Sequence, residues 1–165
     1  MKLIKQHKIV EDNWMRLADD APLADGSIIV SYGRWQQDKD QILGRSNGEV
    51  GIALRAEDDV TSLAEELDKI SLITLHFEKF NDGRSFSQTR WLKEKFGFKG
   101  ELRASGAYIQ DQILPLIKVG IDSFEVPDEF SLEAFQAAIR EVSVQYQTST
   151  IEPSPLFRRR QLSVN

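Results

Sequence analysis

The sequence predicts an α/β fold, with a mostly parallel sheet and crossover helices. Segments typical of strands and of amphipathic helices alternate about four to five times along the chain, and short connections join them. The clearest unit spans residues 72–106, where a strand, a polar turn, a helix and a second strand follow one another. The pattern fits both an open, doubly wound sheet and a partial barrel.

The first half of the chain contains two segments typical of buried strands. Residues 1–26 mix short apolar groups with polar ones, which indicates a peripheral strand or hairpin followed by a loop. The β-branched run at 27–32 is typical of a strand that is covered on both faces, and the apolar run at 50–54 predicts a second such strand.

One helix is predicted between these strands and the central unit. Residues 36–48 are polar, and we expect no more than one helical turn there. Apolar residues at helical spacing run from Val60 to Ile70, directly after Asp58 and Asp59. An aspartate at that point can accept hydrogen bonds from the first free backbone N–H groups, so a capped helix is predicted.

The central unit is predicted as strand 72–77, helix 87–96 and strand 99–104. Ser87 is placed to cap the helix, and Trp91 is then expected to pack near its start in a hydrophobic staple. Both this tryptophan and Trp35 are interpreted as packing residues.

The last third of the chain predicts two more helices and a strand. Apolar residues recur at helical spacing over 109–117, where Pro115 indicates a kink or a late helix start. A short strand is predicted at 121–126. Ser131 is placed to cap a long helix that reaches Tyr146.

The length predicts a single domain. A chain of 165 residues with 41% hydrophobic residues can bury one core. We assign residues 1–150 to one α/β domain and residues 151–165, which have two prolines and no periodicity, to a C-terminal tail.

The composition argues against several classes of function. Lysine and arginine number 21 against 26 acidic residues, a net charge of −5, which disfavours a nucleic-acid or anionic-membrane surface. The chain has no cysteine, so it lacks thiol chemistry and thiolate-held clusters, and two histidines are too few for a histidine-rich metal site. Lysines interrupt the N-terminal apolar run, which is unlike a signal peptide, and we expect a cytoplasmic protein.

A ligand-binding rim is predicted at the carboxyl ends of the parallel strands, where such sheets form their sites. Residues 78–85, residues 105–112 and the residues after Val126 form the loops at that edge. No catalytic residue and no metal ligand is assigned. The predicted ligand-binding residues are Asp82, Arg84, Ser85, Arg103, Ser105, Asp111 and Gln112, with Glu125 as a further candidate at the rim.

Each charged candidate has two interpretations. Arg84 precedes a predicted helix N-terminus and is placed either to bind an anion such as sulfite or to pair with a nearby carboxylate. Glu101 and Arg103 alternate with apolar residues and so share one face, which is either a barrel-like polar interior or an exposed edge. Asp111 suits a helix cap. His76 lies inside a strand, where a buried, hydrogen-bonded histidine is expected rather than a general base.

Four segments resemble the pattern F-x-x-F-x-DGR-x-x-S…GELRA-x-G…DQ…GFD-x-F. They are FEKFNDGRSFS (77–87), GELRASG (100–106), DQ (111–112) and GIDSF (120–124). The pattern is that of bacterial domain-of-unknown-function family nine-three-four, and the resemblance covers roughly residues 14–147. This chain has Ala107 and Tyr108 where the family has Asp-Val, and Ile121 where it has phenylalanine.

The resemblance implies a cytoplasmic oxidoreductase-like or accessory protein of assimilatory sulfite reduction, with a sulfite-reductase subunit or another sulfur-assimilation protein as partner. The chain has neither a G-x-G-x-x-G dinucleotide turn nor a phosphate-binding G-x-x-x-x-G-K motif, so redox chemistry would depend on a cofactor that the sequence does not identify. The alternative is a non-catalytic module that binds or assembles a sulfite-reductase partner.

Overall fold

The fold is a curled, mostly parallel sheet with helices on its outer face, a half-barrel. A computed structural model describes residues 1–79 and 83–140. Within these residues the strands are β1 Lys2–Lys5, β2 Lys8–Val10, β3 Met15–Arg16, β4 Ile28–Ser31, β5 Val50–Leu54, β6 Leu72–Phe77, β7 Glu101–Gly106 and β8 Ser123–Val126. They lie side by side in the order β2-β1-β8-β7-β6-β5-β4-β3.

The strand order identifies the type of sheet. Strands β3 to β8 pair in chain order and are parallel, while β1 pairs antiparallel with β8 and forms a hairpin with β2. A doubly wound sheet reverses its strand order at a switch point, and no reversal occurs from β3 to β8. The predicted α/β class is therefore confirmed, and of its two forms the structure has the partial barrel.

Helices connect the parallel strands. The α-helices within the described ranges are α1 Tyr32–Leu43, α2 Arg84–Arg90, α3 Ile113–Val119 and α4 Leu132–Arg140. A π-helical turn, Trp91–Lys95, continues α2, and short 3-10 turns lie at Val60–Leu63, Leu67–Lys69 and Gln110–Gln112. None of the helices over 1–79 and 83–140 has the length and apolar character needed to cross a membrane.

Two predictions for the first half of the chain are wrong. The polar stretch after Trp35 lies in the full helix α1, which Ser31 caps by accepting from the backbone N–H of Arg34. The predicted helix after Asp59 is instead two 3-10 turns. The Asp59 carboxylate binds the backbone N–H and hydroxyl of Thr61, and such local side-chain bonds compete with an α-helix.

The helix of the central unit begins earlier than predicted. Gly83, not Ser87, lies at the N-cap of α2, and the buried Ser85 hydroxyl ties the first turn to β6 by donating to the His76 carbonyl oxygen. The staple prediction for Trp91 is wrong, because this side chain lies in the π-helical turn and is 46% exposed. Trp35, in contrast, is buried as predicted.

The later elements agree better with prediction. Pro115 is the third residue of α3, where its missing N–H removes no intrahelical bond, so it marks a late helix start. Ser131 caps α4 by accepting from the backbone N–H of Ala134. The predicted continuation of this helix to Tyr146 and the predicted tail lie outside the described residues.

The two faces of the sheet differ in chemistry because side chains alternate along each strand. The face toward the helices is apolar and forms the core, with Ile28, Val30, Ile52, Leu54, Ile73, Leu75, Phe77, Leu102, Ala104, Phe124 and Val126. The strand registers place a largely polar set on the opposite face, among them Lys5, Arg16, Ser31, Thr74, Glu101, Arg103, Ser105, Ser123 and Glu125.

An ion pair across the sheet demonstrates its curvature. Arg16 of β3 donates from Nη2 to Oε1 of Glu125 of β8 at 2.5 Å, although five strand spacings separate these strands. In a flat sheet those spacings would amount to about 24 Å, more than the two side chains can bridge. The polar face is therefore concave, as in the interior of a barrel.

Gly106 ends β7 with a backbone that other residues rarely adopt. Its φ is +94°, and a Cβ built on it would lie 2.4 Å from the Phe77 carbonyl oxygen. We predict that Gly106→Ala lowers the free energy of unfolding by about 1–3 kcal/mol, measured by urea denaturation. Gly83→Ala is the matched control, because Gly83 has an ordinary φ of −81° and open space around its Cα. Equal stability of the two variants would contradict the strain at Gly106.

Candidate functional site

The concave face is organised in layers of side chains from neighbouring strands. Register pairs Ser31 with Ala53, Ala53 with Thr74, Thr74 with Arg103, and Arg103 with Ser123. These residues form one layer across the interior, in the manner of inward-facing residues of a parallel barrel. The next layer toward the carboxyl edge contains His76 and Ser105, which are also paired in register.

Arg103 is the centre of this interior. Its side chain is 1% exposed, and its guanidinium contacts three carboxylates. Nη1 donates to Asp12 at 2.9 Å and to Glu125 at 3.5 Å, while Nε and Nη2 donate to Glu101 at 3.3 and 3.2 Å. Of the two interpretations of the Glu101 and Arg103 alternation, the barrel-like polar interior is the one found.

Further charges balance these carboxylates. Lys5 donates to Glu101 at 2.5 Å, Ser123 donates to the same carboxylate at 2.5 Å, and Arg16 pairs with Glu125. We call the following six residues the Arg103 cluster: Lys5, Asp12, Arg16, Glu101, Arg103 and Glu125. Its three cations and three carboxylates cancel in formal charge, which is how a buried arginine becomes tolerable.

The pKa of Glu101 reflects this surrounding. Burial by itself would raise the pKa of the Glu101 carboxyl group. Hydrogen bonds from Lys5 and Ser123, together with the positive charges of Arg103 and Lys5, outweigh burial and hold the pKa below its ordinary value. The ionised form of Glu101 is thus the one that the folded state favours.

The carboxyl edge of β6 and β7 brings a histidine next to a serine. Nδ1 of His76 lies 3.3 Å from Oγ of Ser105, and Ser105 is buried while His76 is exposed. The prediction of a buried His76 is wrong, because its side chain follows the concave face to the rim rather than entering the apolar core. Tyr108 closes the neighbouring edge by donating from its hydroxyl to the Glu125 carbonyl oxygen at 2.5 Å, and burial raises the pKa of this tyrosine.

The structure places the predicted ligand-binding residues in different settings. Ser105 and Arg103 share the concave face, while Ser85 is buried beneath the rim against β6. Arg84 is exposed at the first residue of α2. Asp82 lies outside the described residues.

The two remaining candidates belong to the loop after β7. Gln112 accepts from the backbone N–H of Ile109 at 3.1 Å, which caps a short 3-10 turn. Asp111 is exposed in that same turn. A local capping contact of this kind accounts for Gln112 without a ligand.

Sequence reasoning missed several residues at the concave face, among them Lys5, Asp12, Arg16 and Thr74. Lys5, Asp12 and Arg16 come from the N-terminal segment, which was expected to be peripheral, and Thr74 looked like an ordinary strand residue. Alternation gives no signal for Lys5, because β1 reads Lys-Leu-Ile-Lys and its two lysines lie on opposite faces of the sheet. The signal for Asp12 is absent, because it lies outside any strand.

Open cavities occur at the other end of the strands. One of about 640 Å³ is lined by residues that immediately precede β6 and β7, including Ser71, Lys99 and Gly100. This is the amino-terminal edge, whereas parallel half-barrels build their sites from the loops at the carboxyl edge. We therefore place the candidate site at the concave face and the carboxyl rim. Residues 1–79 and 83–140 contain no group of three or more potential metal-ligating side chains.

Comparisons with known proteins add a family match. A family model described as "Bacterial protein of unknown function (DUF934)" matches residues 51–157. No curated protein and no solved structure matches the chain. The matched span runs from Gly51 in β5 through β8 and hence includes Thr74, Glu101, Arg103 and the carboxyl rim.

The lowered pKa of Glu101 predicts a specific pH dependence. A carboxyl group with a depressed folded-state pKa contributes stability above its unfolded value, near 4.5, and loses it as the pH falls through the folded value. We predict that Glu101→Gln lowers the free energy of unfolding at pH 7 by about 3 kcal/mol. We also expect its stability to fall less than that of the wild type below pH 4.5.

Urea denaturation from pH 7 to pH 3 measures both effects. The exposed Glu11 provides the matched control, since Glu11→Gln removes the same charge outside the Arg103 cluster. Parallel stability profiles for the wild type and Glu101→Gln would refute the role assigned to this carboxylate.

Proposed function

The chain belongs to the family of bacterial proteins of unknown function DUF934, and from that membership we propose a cytoplasmic accessory or oxidoreductase-like protein of assimilatory sulfite reduction. The motif resemblance supplies the sulfite-reduction setting. The geometry of the carboxyl rim supports the further proposal that a small anion, of the sulfite class, or an anionic cofactor binds there.

One observation carries the anion proposal: the parallel register of β6 and β7. Because of this register, the loops that follow both strands begin at the same edge of the sheet, and His76 lies beside Ser105. A serine hydroxyl, an imidazole N–H and the guanidinium of Arg84 are all hydrogen-bond donors, the groups that an oxyanion requires. Sulfite would accept from these donors at the mouth of the concave face.

The proposed anion site predicts that two substitutions selectively weaken sulfite binding. Arg84→Ala and Ser105→Ala are each expected to weaken sulfite binding at least about tenfold, because each removes a donor worth about 1.5–3 kcal/mol toward a charged acceptor. Isothermal titration calorimetry measures the binding, and growth with sulfate as sole sulfur source measures the consequence. Arg90→Ala is the matched control, since Arg90 is an exposed arginine of α2 that pairs with Glu94. Wild-type binding and growth of Arg84→Ala would count against the site.

An oxidoreductase role requires a redox cofactor, because a chain without cysteine offers no thiol couple of its own. The absorption spectrum of the protein purified from its own host tests this role. A flavin or other chromophore that co-purifies in stoichiometric amount would favour the enzyme. A colourless protein that still binds sulfite would favour the accessory role.

The second candidate is a non-catalytic module that binds a sulfite-reductase subunit, and an exposed tryptophan favours it. Trp91 is 46% exposed, and Nζ of Lys95 lies 4.8 Å from its ring centroid. Large aromatic side chains of this kind are enriched at protein interfaces.

The module predicts that Trp91→Ala abolishes co-purification with the sulfite-reductase subunit while sulfite binding is unchanged. Affinity purification from the host, with the subunit detected by mass spectrometry, measures the association. Ile109→Ala is the matched control, because Ile109 is exposed to a similar degree in the loop after β7. Retention of the subunit by the Trp91 variant would show that Trp91 is not part of the binding surface.

A further inference from the structure

A short segment crosses the concave face and covers it. We call residues 12–14, which lead into β3, the strap. Asp12 at its start contacts Arg103, and Arg16, in β3 just beyond its end, contacts Glu125. Between them, the indole of Trp14 lies against the bare backbone of Gly51, where an added Cβ would be 3.2 Å from Cζ3. One ion pair and one aromatic contact thus hold the strap on the interior, while the Arg16 pair fixes β3 beside it.

Asp12 differs from the other carboxylates that contact Arg103. Glu101 and Glu125 are 15% and 12% exposed and extend from strands of the sheet, whereas Asp12 is 36% exposed and extends from the strap. Its Oδ2 accepts from Nη1 of Arg103, and its Oδ1 accepts from the backbone N–H of Trp14. Asp12 is therefore the carboxylate that can leave Arg103 without any strand moving.

Thr74 supplies a second, independent observation. Its side chain is fully buried, and Oγ1 has no hydrogen-bond partner among the described residues. Register places Thr74 directly beside Arg103 on the concave face. A buried hydroxyl without a partner is rare in folded proteins and requires an explanation. A ligand that accepts from this hydroxyl in another state of the strap provides one.

We propose that the Asp12 carboxylate is an internal substitute for a small oxyanion, which binds Nη1 of Arg103 and Oγ1 of Thr74 when the strap lifts. A carboxylate and an oxyanion such as sulfite or sulfate offer a guanidinium the same kind of charged oxygen acceptors. Exchange of one for the other also keeps a negative charge against the buried Arg103 guanidinium. The inference rests on the proposed anion site, since Ser105 at the rim lies two residues beyond Arg103 on the same face.

An internal competitor lowers the apparent affinity for the external ligand, because only molecules with the strap lifted can bind it. Asp12→Asn removes the charge but keeps an oxygen that can accept from the Trp14 N–H. The Arg103 cluster is then left with one excess positive charge. We expect the variant to bind the oxyanion about tenfold more tightly than the wild type.

The experiment titrates the full-length protein with sodium sulfite, sodium sulfate and sodium phosphate by calorimetry. Asp19→Asn is the matched control: it makes the same charge change in an exposed residue that accepts from Ser31 and does not contact Arg103. Thr74→Val, made in the Asp12→Asn background, removes the unpartnered hydroxyl at nearly constant volume and is expected to weaken binding several-fold. Fluorescence of Trp14, assigned by a Trp14→Phe variant, should change on binding as the strap lifts.

The outcomes separate this inference from the proposed function. The inference is supported if Asp12→Asn binds the oxyanion more tightly, Asp19→Asn does not, and the added Thr74→Val substitution weakens that binding. Wild-type binding that neither substitution changes would overturn it and leave the rim site standing. Tighter binding of all three anions without preference for sulfite would support the Arg103 position but oppose a sulfite-specific role. Absence of binding in both the wild type and Asp12→Asn would overturn both this inference and the proposed anion site.

Discussion

The buried guanidinium of Arg103 constrains the whole molecule. A charge that is 1% exposed must be neutralised, and its partners come from separate parts of the chain: Glu101 from the same strand, Glu125 from the adjacent β8, and Asp12 from the N-terminal segment. This requirement draws the strap onto the interior and, through the Arg16 to Glu125 pair, links β3 to β8. The curvature of the sheet and the polarity of its concave face therefore have a common electrostatic basis.

The elements that the sequence predicted well are those with a strong local signal. Strands β4 to β6 are mostly apolar runs and β7 alternates polar with apolar residues, and their order along the chain made a parallel sheet the expected result. The predictions that were wrong concern segments where local or tertiary contacts override the sequence periodicity, and periodicity alone does not reveal those contacts. Helix α1 buries Trp35 through a mostly polar sequence, and the turns after Asp59 form because short polar side chains bind the nearby backbone.

The candidate site was predictable only where both partners belong to regular strands. Alternation along β7 indicated that Glu101 and Arg103 share a face, and parallel pairing indicated that the loops after β6 and β7 leave one edge. The contact between Asp12 and Arg103 joins residues that are 91 positions apart. It exists because the sheet curls, and curvature is a property of the assembled strands rather than of any segment.

The departure of this chain from its family pattern affects the rim rather than the Arg103 cluster. Ala107, where the pattern has aspartate, is exposed directly after β7, and its backbone N–H donates to the Phe77 carbonyl oxygen. Tyr108 packs edge-on against Phe77 and Phe124. A carboxylate at position 107 would add negative charge at the carboxyl edge of β7, and would repel an approaching anion. The anion site that we propose at the rim would benefit from alanine there, because alanine adds no such repulsion.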